Sequence, residues 1–408
     1  MERNILPGTS GTPRETPTTS VSPILYLSGA PRLSTKPITE SLGPRSHILG
    51  VIGALREAGA TVRTFIVGDQ VPQSFHASGS EARMTASFPR LLGADAVRLL
   101  YRLRSRRRLR RDAKQRPDAP AMAYERYELM QELGSAVRGR GTIWVLEVNA
   151  LLAIESTSDR RATSSRRVAM HFERRALRGA DLLVAVTEQL KLAIHREHGI
   201  PLDRILVVEN GVDTTKHGSA SAAPQDVPTI GFLGTLYPWQ RVDALLRAVQ
   251  RSDVGWHVRI AGEGPELDAL KQLSEELLLQ DRVTFLGRVH PDDVPQFLTT
   301  VDICYAGHGS SAGVYFSPLK LWEYLAAGRP VLSSSHDTTD RLHAAGYAVE
   351  VFDDSDGALD LALESVAGRL PALLSTAVAD QERVNASHSW RARIEPLLQL
   401  VAQRRGDR

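Results

Sequence analysis

The sequence contains a single cysteine, Cys304, so no internal disulfide can form. A chain of this kind suits a reducing compartment, and a cytoplasmic location is expected. Cys304 sits with Val301, Ile303 and Tyr305 in an apolar strand pattern, where a thiol reads as core filler and not as a nucleophile. No run of apolar residues approaches the ~20 needed to span a bilayer. The first residues, MERNILPGTSGTPRETPTTS, lack the apolar core of a signal peptide, and their Thr, Pro, Ser and Gly read as a disordered tail over 1–22. Aromatic residues make up only 6% of the chain, and none interleaves with its most basic run, so nucleic acid is not an expected partner.

That run, RLRSRRRLRR, opens with Arg102 and closes with Arg111; it holds seven Arg and no acid. The net charge is +3, and without those seven it would be −4. The run reads either as a solvated helix end, with Leu99, Leu100 and Leu103 packed inward, or as a peripheral contact for an anionic membrane. The rest of the composition, 42% hydrophobic and 24% charged over 408 residues, is that of a globular protein long enough for two domains.

The most informative stretch is SPLKLWEYLAAGRPV, residues 317–331. Ser317 reads as a helix N-cap, with Pro318 at the first helical position. Gly328-Arg329-Pro330 ends the helix and a strand follows. The N–H groups of Leu319 and Lys320, the helix dipole and the Lys320 ammonium together suit a phosphate. Glu323, three residues on and on roughly the same face, can accept from ribose hydroxyls. A capped core helix is the plain alternative.

The wording Ser-Pro-x-Lys-x-x-Glu-Tyr-x-Ala-x-Gly-x-Pro-Val resembles the donor-binding helix of retaining glycosyltransferases of family 4, which have the GT-B fold. The resemblance runs from Pro23 to Val401, strongest in the second half. It implies an α/β protein of two Rossmann-like doubly wound domains facing each other across a cleft, with a C-terminal helix crossing back to the first. The expected divisions are 23–217 for the acceptor-binding domain, 218–228 for the linker, 229–388 for the nucleotide-sugar-binding domain and 389–408 for the returning helix. Members more often carry two Glu in this motif; Tyr315 stands where the first would be. The donor sugar contact usually made there has no carboxylate here.

In the first half, PILYLSGAP, a Gly-bearing loop and HILGVIGALREAGA read as strand, loop and helix, the opening of a doubly wound sheet. The resemblance turns this loop to the cleft, so Gly43, Arg45 and His47 are candidate acceptor contacts. Glu125 and Arg126 in AYERYE, and Glu147 and Asn149 in WVLEVNA, fall near strand ends, where ligands of open α/β sheets gather. Glu147 is a candidate to orient or deprotonate an acceptor, with Asn149 where typical members carry His. Alternatively, Glu125 or Glu147 pairs with Arg126 as a structural bridge. Asn210-Gly211-Val212-Asp213 matches the phrase that closes the first domain in this family.

In the second half, TIGFLGTLYPWQRVD repeats the strand–loop–helix theme. Family members place Arg and Lys on the donor diphosphate where Thr235 and Gln240 stand; Arg241, one residue further, is the candidate to supply charge. Gly262-Glu263-Gly264 is an incomplete dinucleotide fingerprint, and by resemblance Glu263 lines the nucleotide pocket. Arg288 and Val289 correspond to the segment that touches the base. His308, Ser310 and Ser311, in the loop before the donor helix, are candidates for the donor hydroxyls.

The reading is a retaining transferase moving a sugar from a nucleotide-diphosphate sugar to a small-molecule acceptor, as in natural-product biosynthesis. Glu147, Asn149 and Lys320 are the candidate catalytic residues. The only Asp-x-Asp triplet, Asp354-Ser355-Asp356, lies outside the donor unit, so no metal and no further cofactor is expected. A nucleotide-sugar epimerase on the same fold and a non-catalytic nucleotide-sugar-binding or membrane-surface protein are the alternatives.

Overall fold

The computed structural model describes residues 21–36, 43–71, 87–116, 118–139, 141–158, 162–218, 223–309 and 319–406. Ser310, Ser311, Tyr315, Ser317 and Pro318 lie outside them, and with them the expected helix cap and two of the sugar-loop candidates.

The first unit runs β1 (Ile24–Ser28), α1 (Gly43–Glu57), β2 (Val62–Ile66), α2 (Phe88–Gln115), β3 (Met122–Arg126), β4 (Ile143–Val148), α3 (Leu152–Ser158), α4 (Arg166–Gly179), β5 (Leu182–Ala185), α5 (Glu188–His198) and β6 (Ile205–Val207). Its strands form one parallel sheet in the order β2-β1-β3-β4-β5-β6. Strands such as IWVLEV and LLVA are apolar nearly throughout because helices cover both faces, and every residue in these two is buried. The second unit runs β7 (Thr229–Leu233), α6 (Val242–Arg251), β8 (His257–Ala261), α7 (Leu267–Glu276), β9 (Val283–Gly287), α8 (Val294–Thr299), β10 (Ile303–Ala306), α9 (Leu319–Ala326), β11 (Val331–Ser334), α10 (Asp337–Ala344) and β12 (Val349–Phe352). Its parallel sheet has the order β12-β11-β10-β7-β8-β9, the doubly wound order with its reversal between β7 and β10.

Two long helices finish the chain, α11 (Ala358–His388) and α12 (Trp390–Gly406). By length and composition alone α11 is long and apolar enough to cross a membrane, although Asp360, Glu364 and Arg369 interrupt its apolar residues. Its Leu359, Leu363, Val366, Leu370 and Leu374 instead pack in the core of the second sheet. The chain then breaks at Ser389, and α12 returns to the first sheet, where Ile394, Leu397, Leu398 and Val401 join the core. At about 1.5–3 kcal/mol per buried aliphatic side chain, those four contribute on the order of 6–12 kcal/mol to holding the returning helix.

Trp390 marks the crossing. A Cβ on Gly50 of α1 would lie 2.2 Å from the Trp390 indole nitrogen, and one on Gly211 would lie 2.7 Å from its Cα. Both positions must be glycine for the indole and its backbone to sit there. Trp390 N–H also donates to Val212 O (3.2 Å), and Val212 N–H to His388 O (2.9 Å), so the end of the first domain is stitched to the helix break. Val21, placed in the tail by composition, is fully buried, and Ser22 Oγ accepts from Thr61 N–H.

Candidate active site

The reversal between β7 and β10 brings together the loop after β7, the loop after β10 and the start of α9. Tyr324 ties α9 to the sheet: the Leu233 N–H donates to its hydroxyl at 2.9 Å. This fixes Lys320 one turn earlier, with its Nζ donating to Gln240 Oε1 (2.7 Å) and lying 4.3 Å from the Phe232 ring centre. Among the described residues no carboxylate pairs with this ammonium. Burial alone pushes its pKa down from 10.5 to about 7. A desolvated ammonium held by a neutral amide and a ring face is poised for an anion.

His308 follows β10, its backbone N–H donating to Ser334 Oγ at 2.9 Å. Burial, then His336 and Lys320, bring its imidazole down to about 4, so it is neutral at physiological pH. The neighbouring Gly309 N–H donates to Trp239 O (2.8 Å), joining the two loops. Thr235 is half-buried in the loop after β7. Arg241 is exposed at the start of α6 with φ +51°, its carbonyl accepting from Tyr305 Oη at 2.9 Å. Gly262 and Gly264 owe their identity to packing: Cβ atoms there would lie 1.9 Å from Gly234 O and 2.4 Å from Leu236 O. Glu263 between them forms an exposed ion pair with Arg288 (3.1 Å), beside half-buried Val289.

Glu323 also lies on α9, and burial raises its carboxyl pKa; its charged neighbours are Lys216 and Asp213, from the end of the first domain. A Cβ on Gly43 would lie 3.7 Å from Leu319 Cδ1, so the start of α1 faces the start of α9 across the cleft. Arg45, in the same first turn, donates to Thr35 O at 3.4 Å.

His47 lies deeper, 4% exposed, its ring edge-on to Trp390 at 5.0 Å. Its Nε2 is 3.3 Å from Glu147 Oε1. Glu147, 1% exposed, also accepts from Tyr124 Oη and from the Asn149 side-chain amide. Burial lowers the His47 pKa; Glu147 opposes this. Glu147 is thus the acceptor at the centre of a buried knot of donors.

The expected alternative of a bridge to Arg126 does not hold for either carboxylate. Arg126 pairs with Glu128, its neighbour two residues on. Glu125 turns inward with no exposure and accepts from the N–H groups of Leu133 (2.6 Å) and Gly134 (2.8 Å), closing the loop after β3. Burial raises its pKa to about 7 against the pull of those two bonds. In this arrangement its carboxylate shapes the loop and does not face the cleft.

Two family models match in tandem. The model described as Glycosyl transferase 4-like domain covers residues 43–211, and that described as Glycosyl transferases group 1 covers residues 213–365. The chain is a glycosyltransferase of the family 4 type. It is similar to D-inositol 3-phosphate glycosyltransferases of Nocardia farcinica, 28% identical over 71% of this chain and 68% of the relative, and of Mycolicibacterium smegmatis, 28% identical over 73% and 71%. Its fold is similar to that of sucrose-phosphate synthase from Thermosynechococcus elongatus, with a TM-score of 0.67 at 16% identity over 94% of this chain and 100% of that one. A second likeness is Anabaena HepE in complex with UDP, with a TM-score of 0.64 at 17% identity over 93% and 99%. The two facing parallel sheets are those of a GT-B glycosyltransferase.

Sequence reasoning missed several groups around the cleft of this glycosyltransferase. Glu209, at the end of the first domain, accepts from Arg341 of α10 (2.8 Å) and Arg393 of α12 (2.9 Å), a charged tie across the domains. Asp213 and Lys216 flank Glu323. The Asn-Gly-Val-Asp phrase pointed at this region, but only as the close of the first domain. Nothing local marks Gln240 as the partner of Lys320, or His47 as that of Glu147, since each pair joins distant parts of the chain.

Proposed function

We propose that this glycosyltransferase moves a sugar, with retention of configuration, from a nucleotide-diphosphate sugar to a small-molecule acceptor. The observation that carries the reading is the buried Lys320 ammonium, without a described carboxylate partner, at the reversal point of the second sheet. Lys320 meets the diphosphate and the charge that grows on it as the bond from the anomeric carbon to the phosphate oxygen breaks. Glu323 takes the ribose hydroxyls, while Thr235, Gln240, Arg241 and His308 surround the phosphates and sugar. The pair Glu263 and Arg288, with the backbone of Val289, borders the base.

The acceptor enters against the start of α1, where Gly43 and Arg45 are exposed or half-buried. Its hydroxyl attacks the face the diphosphate leaves, and its proton passes to the departing phosphate oxygen. Glu147 suits a positioning role better than that of a nucleophile or base, since its oxygens are engaged by His47, Tyr124 and Asn149. UDP is the first nucleotide to try, as HepE binds it, and the name D-inositol 3-phosphate glycosyltransferase favours a small acceptor. A cytoplasmic role in natural-product biosynthesis fits this chemistry.

The test is incubation with UDP-, GDP- and ADP-glucose, followed by proton NMR. Slow release of diphosphate with α-glucose appearing before β-glucose supports a retaining transferase. β-Glucose first overturns retention. A new nucleotide sugar formed without diphosphate release favours the epimerase, and an unchanged spectrum with every donor favours the binding protein.

A further inference from the structure

The arginine run at residues 102–111 divides between two faces of α2. Arg102 and Arg106 turn inward and share Glu132, with Arg102 bonded to it at 2.6 Å. Arg106 also donates to Ser135 Oγ at 2.5 Å. Arg108 donates to Gln70 (2.7 Å) and lies over the Phe65 ring. These three hold the helix on the domain. Arg104, Arg107, Arg110 and Arg111 stay exposed.

The aliphatic residues reverse part of the expectation from sequence: Leu99 packs against Met130, Ala153 and Ala169 as expected, but its two neighbours do not follow it. Leu100 and Leu103 do not pack inward; they are 45% and 50% exposed, with Phe88 at 63% and Leu92 at 55%. Positions 92, 96, 100, 103, 107, 110 and 114 are all exposed and follow one another at steps of three or four, which places them on a single stripe. Along it the residues read Leu, Ala, Leu, Leu, then Arg, Arg, Lys. The stripe is ~33 Å long, apolar over its first half and cationic over its second. Next to it, α4 exposes Val168, Arg174, Arg175 and Arg178, and a groove between the helices is lined by Leu103, Arg110, His171, Phe172 and Arg175.

We propose that this face of α2 and α4 docks on an anionic lipid bilayer. A contiguous exposed apolar patch marks an interaction surface. The charge beside it selects an anionic partner. Leucine side chains give a nucleic acid nothing to stack on, whereas a bilayer interface takes both halves: leucines among the upper acyl carbons and guanidinium groups on the headgroup phosphates. The apolar half lies on the cleft side of the domain. There the Gln131 amide donates to Arg98 O (2.8 Å), while Gln131 Cβ would meet a Cβ on Gly29, just past the end of β1, at 2.7 Å. Docking therefore sets the open end of the first sheet beside the bilayer. The proposal is independent of the donor reading, since lipid binding needs no nucleotide.

The experiment is co-sedimentation of the full chain with vesicles of phosphatidylcholine alone, or with about a third phosphatidylglycerol, in low salt. Wild type should pellet with the anionic vesicles and stay largely soluble with the neutral ones. Arg107→Gln and Arg110→Gln should each lower partitioning about fivefold. Leu100→Ser with Leu103→Ser should lower it several-fold with the charge unchanged. All four side chains are exposed, and circular dichroism checks that each variant folds. Equal binding to neutral vesicles, or anionic binding untouched by either set, overturns the proposal. So does loss through the arginine changes alone with equal competition by duplex DNA, which would mark a general polyanion surface.

Discussion

Lys320 gives nucleotide binding a predictable pH dependence. Burial holds its ammonium at about 7 in the unliganded protein, against 10.5 in water. A diphosphate in contact with Nζ favours the charged form and raises the pKa, so binding takes up a proton whenever the free side chain is neutral. Affinity is therefore full below the free-state pKa and declines as pH rises through it. The side chain is already half neutral at about pH 7 and the fall approaches tenfold per unit above it, hence roughly 50-fold between about pH 7 and pH 9, or about 2.3 kcal/mol. Working upward from about pH 7 keeps the terminal phosphate, which titrates near 6, mostly ionised. Calorimetry with UDP in buffers of different ionisation enthalpy reads both Kd and proton uptake. At pH 9, uptake near one proton is expected for wild type, and none from this site in Lys320→Met, whose Kd should be weak and nearly flat. An unchanged wild-type Kd over this range, or the same slope in Lys320→Met, would refute the assignment of Lys320 as the diphosphate cation.

Glu147→Ala should lose about 2–4 kcal/mol in chemical denaturation, because Tyr124, Asn149 and His47 are left around an empty buried acceptor. Gly50→Ala should cost about 1–3 kcal/mol and loosen α12, since its methyl would meet the Trp390 ring at 2.2 Å; faster proteolysis near Ser389 would report this. Arg106→Ala should destabilise by about 1–3 kcal/mol and Arg107→Ala by under about 0.5, the first holding buried Glu132 and the second standing in solvent. Equal thermal midpoints for those two variants would contradict the division of the arginine run.

The second half of the molecule was the easier to read from sequence. Its strands are short apolar runs closed by glycine loops, and the strand–loop–helix order read in TIGFLGTLYPWQRVD is that of β7 and α6. The two facing sheets and the returning helix also follow, because the resemblance carries topology that periodicity alone does not. Contacts between distant residues were not legible. Nothing near Glu147 announces His47, a hundred residues earlier, and nothing near Lys320 announces Gln240. Glu125 looked like a cleft carboxylate because it lies near a strand end, yet the pleat turns it inward to close its own loop. Leu100 and Leu103 read as an inward face. That face went instead to Arg102, Ser105 and Leu109, since buried Glu132 needed cations from this helix.

The most direct test of the central claim, a nucleotide-diphosphate site on α9, is thermal unfolding with and without UDP, GDP and ADP, on wild type and Glu323→Ala. A nucleotide at about 100 times its Kd should add roughly 2.7 kcal/mol of stability. The account predicts that one diphosphate raises the wild-type midpoint and that Glu323→Ala removes most of the rise. No rise with any of the three, or an equal rise in the variant, would contradict it.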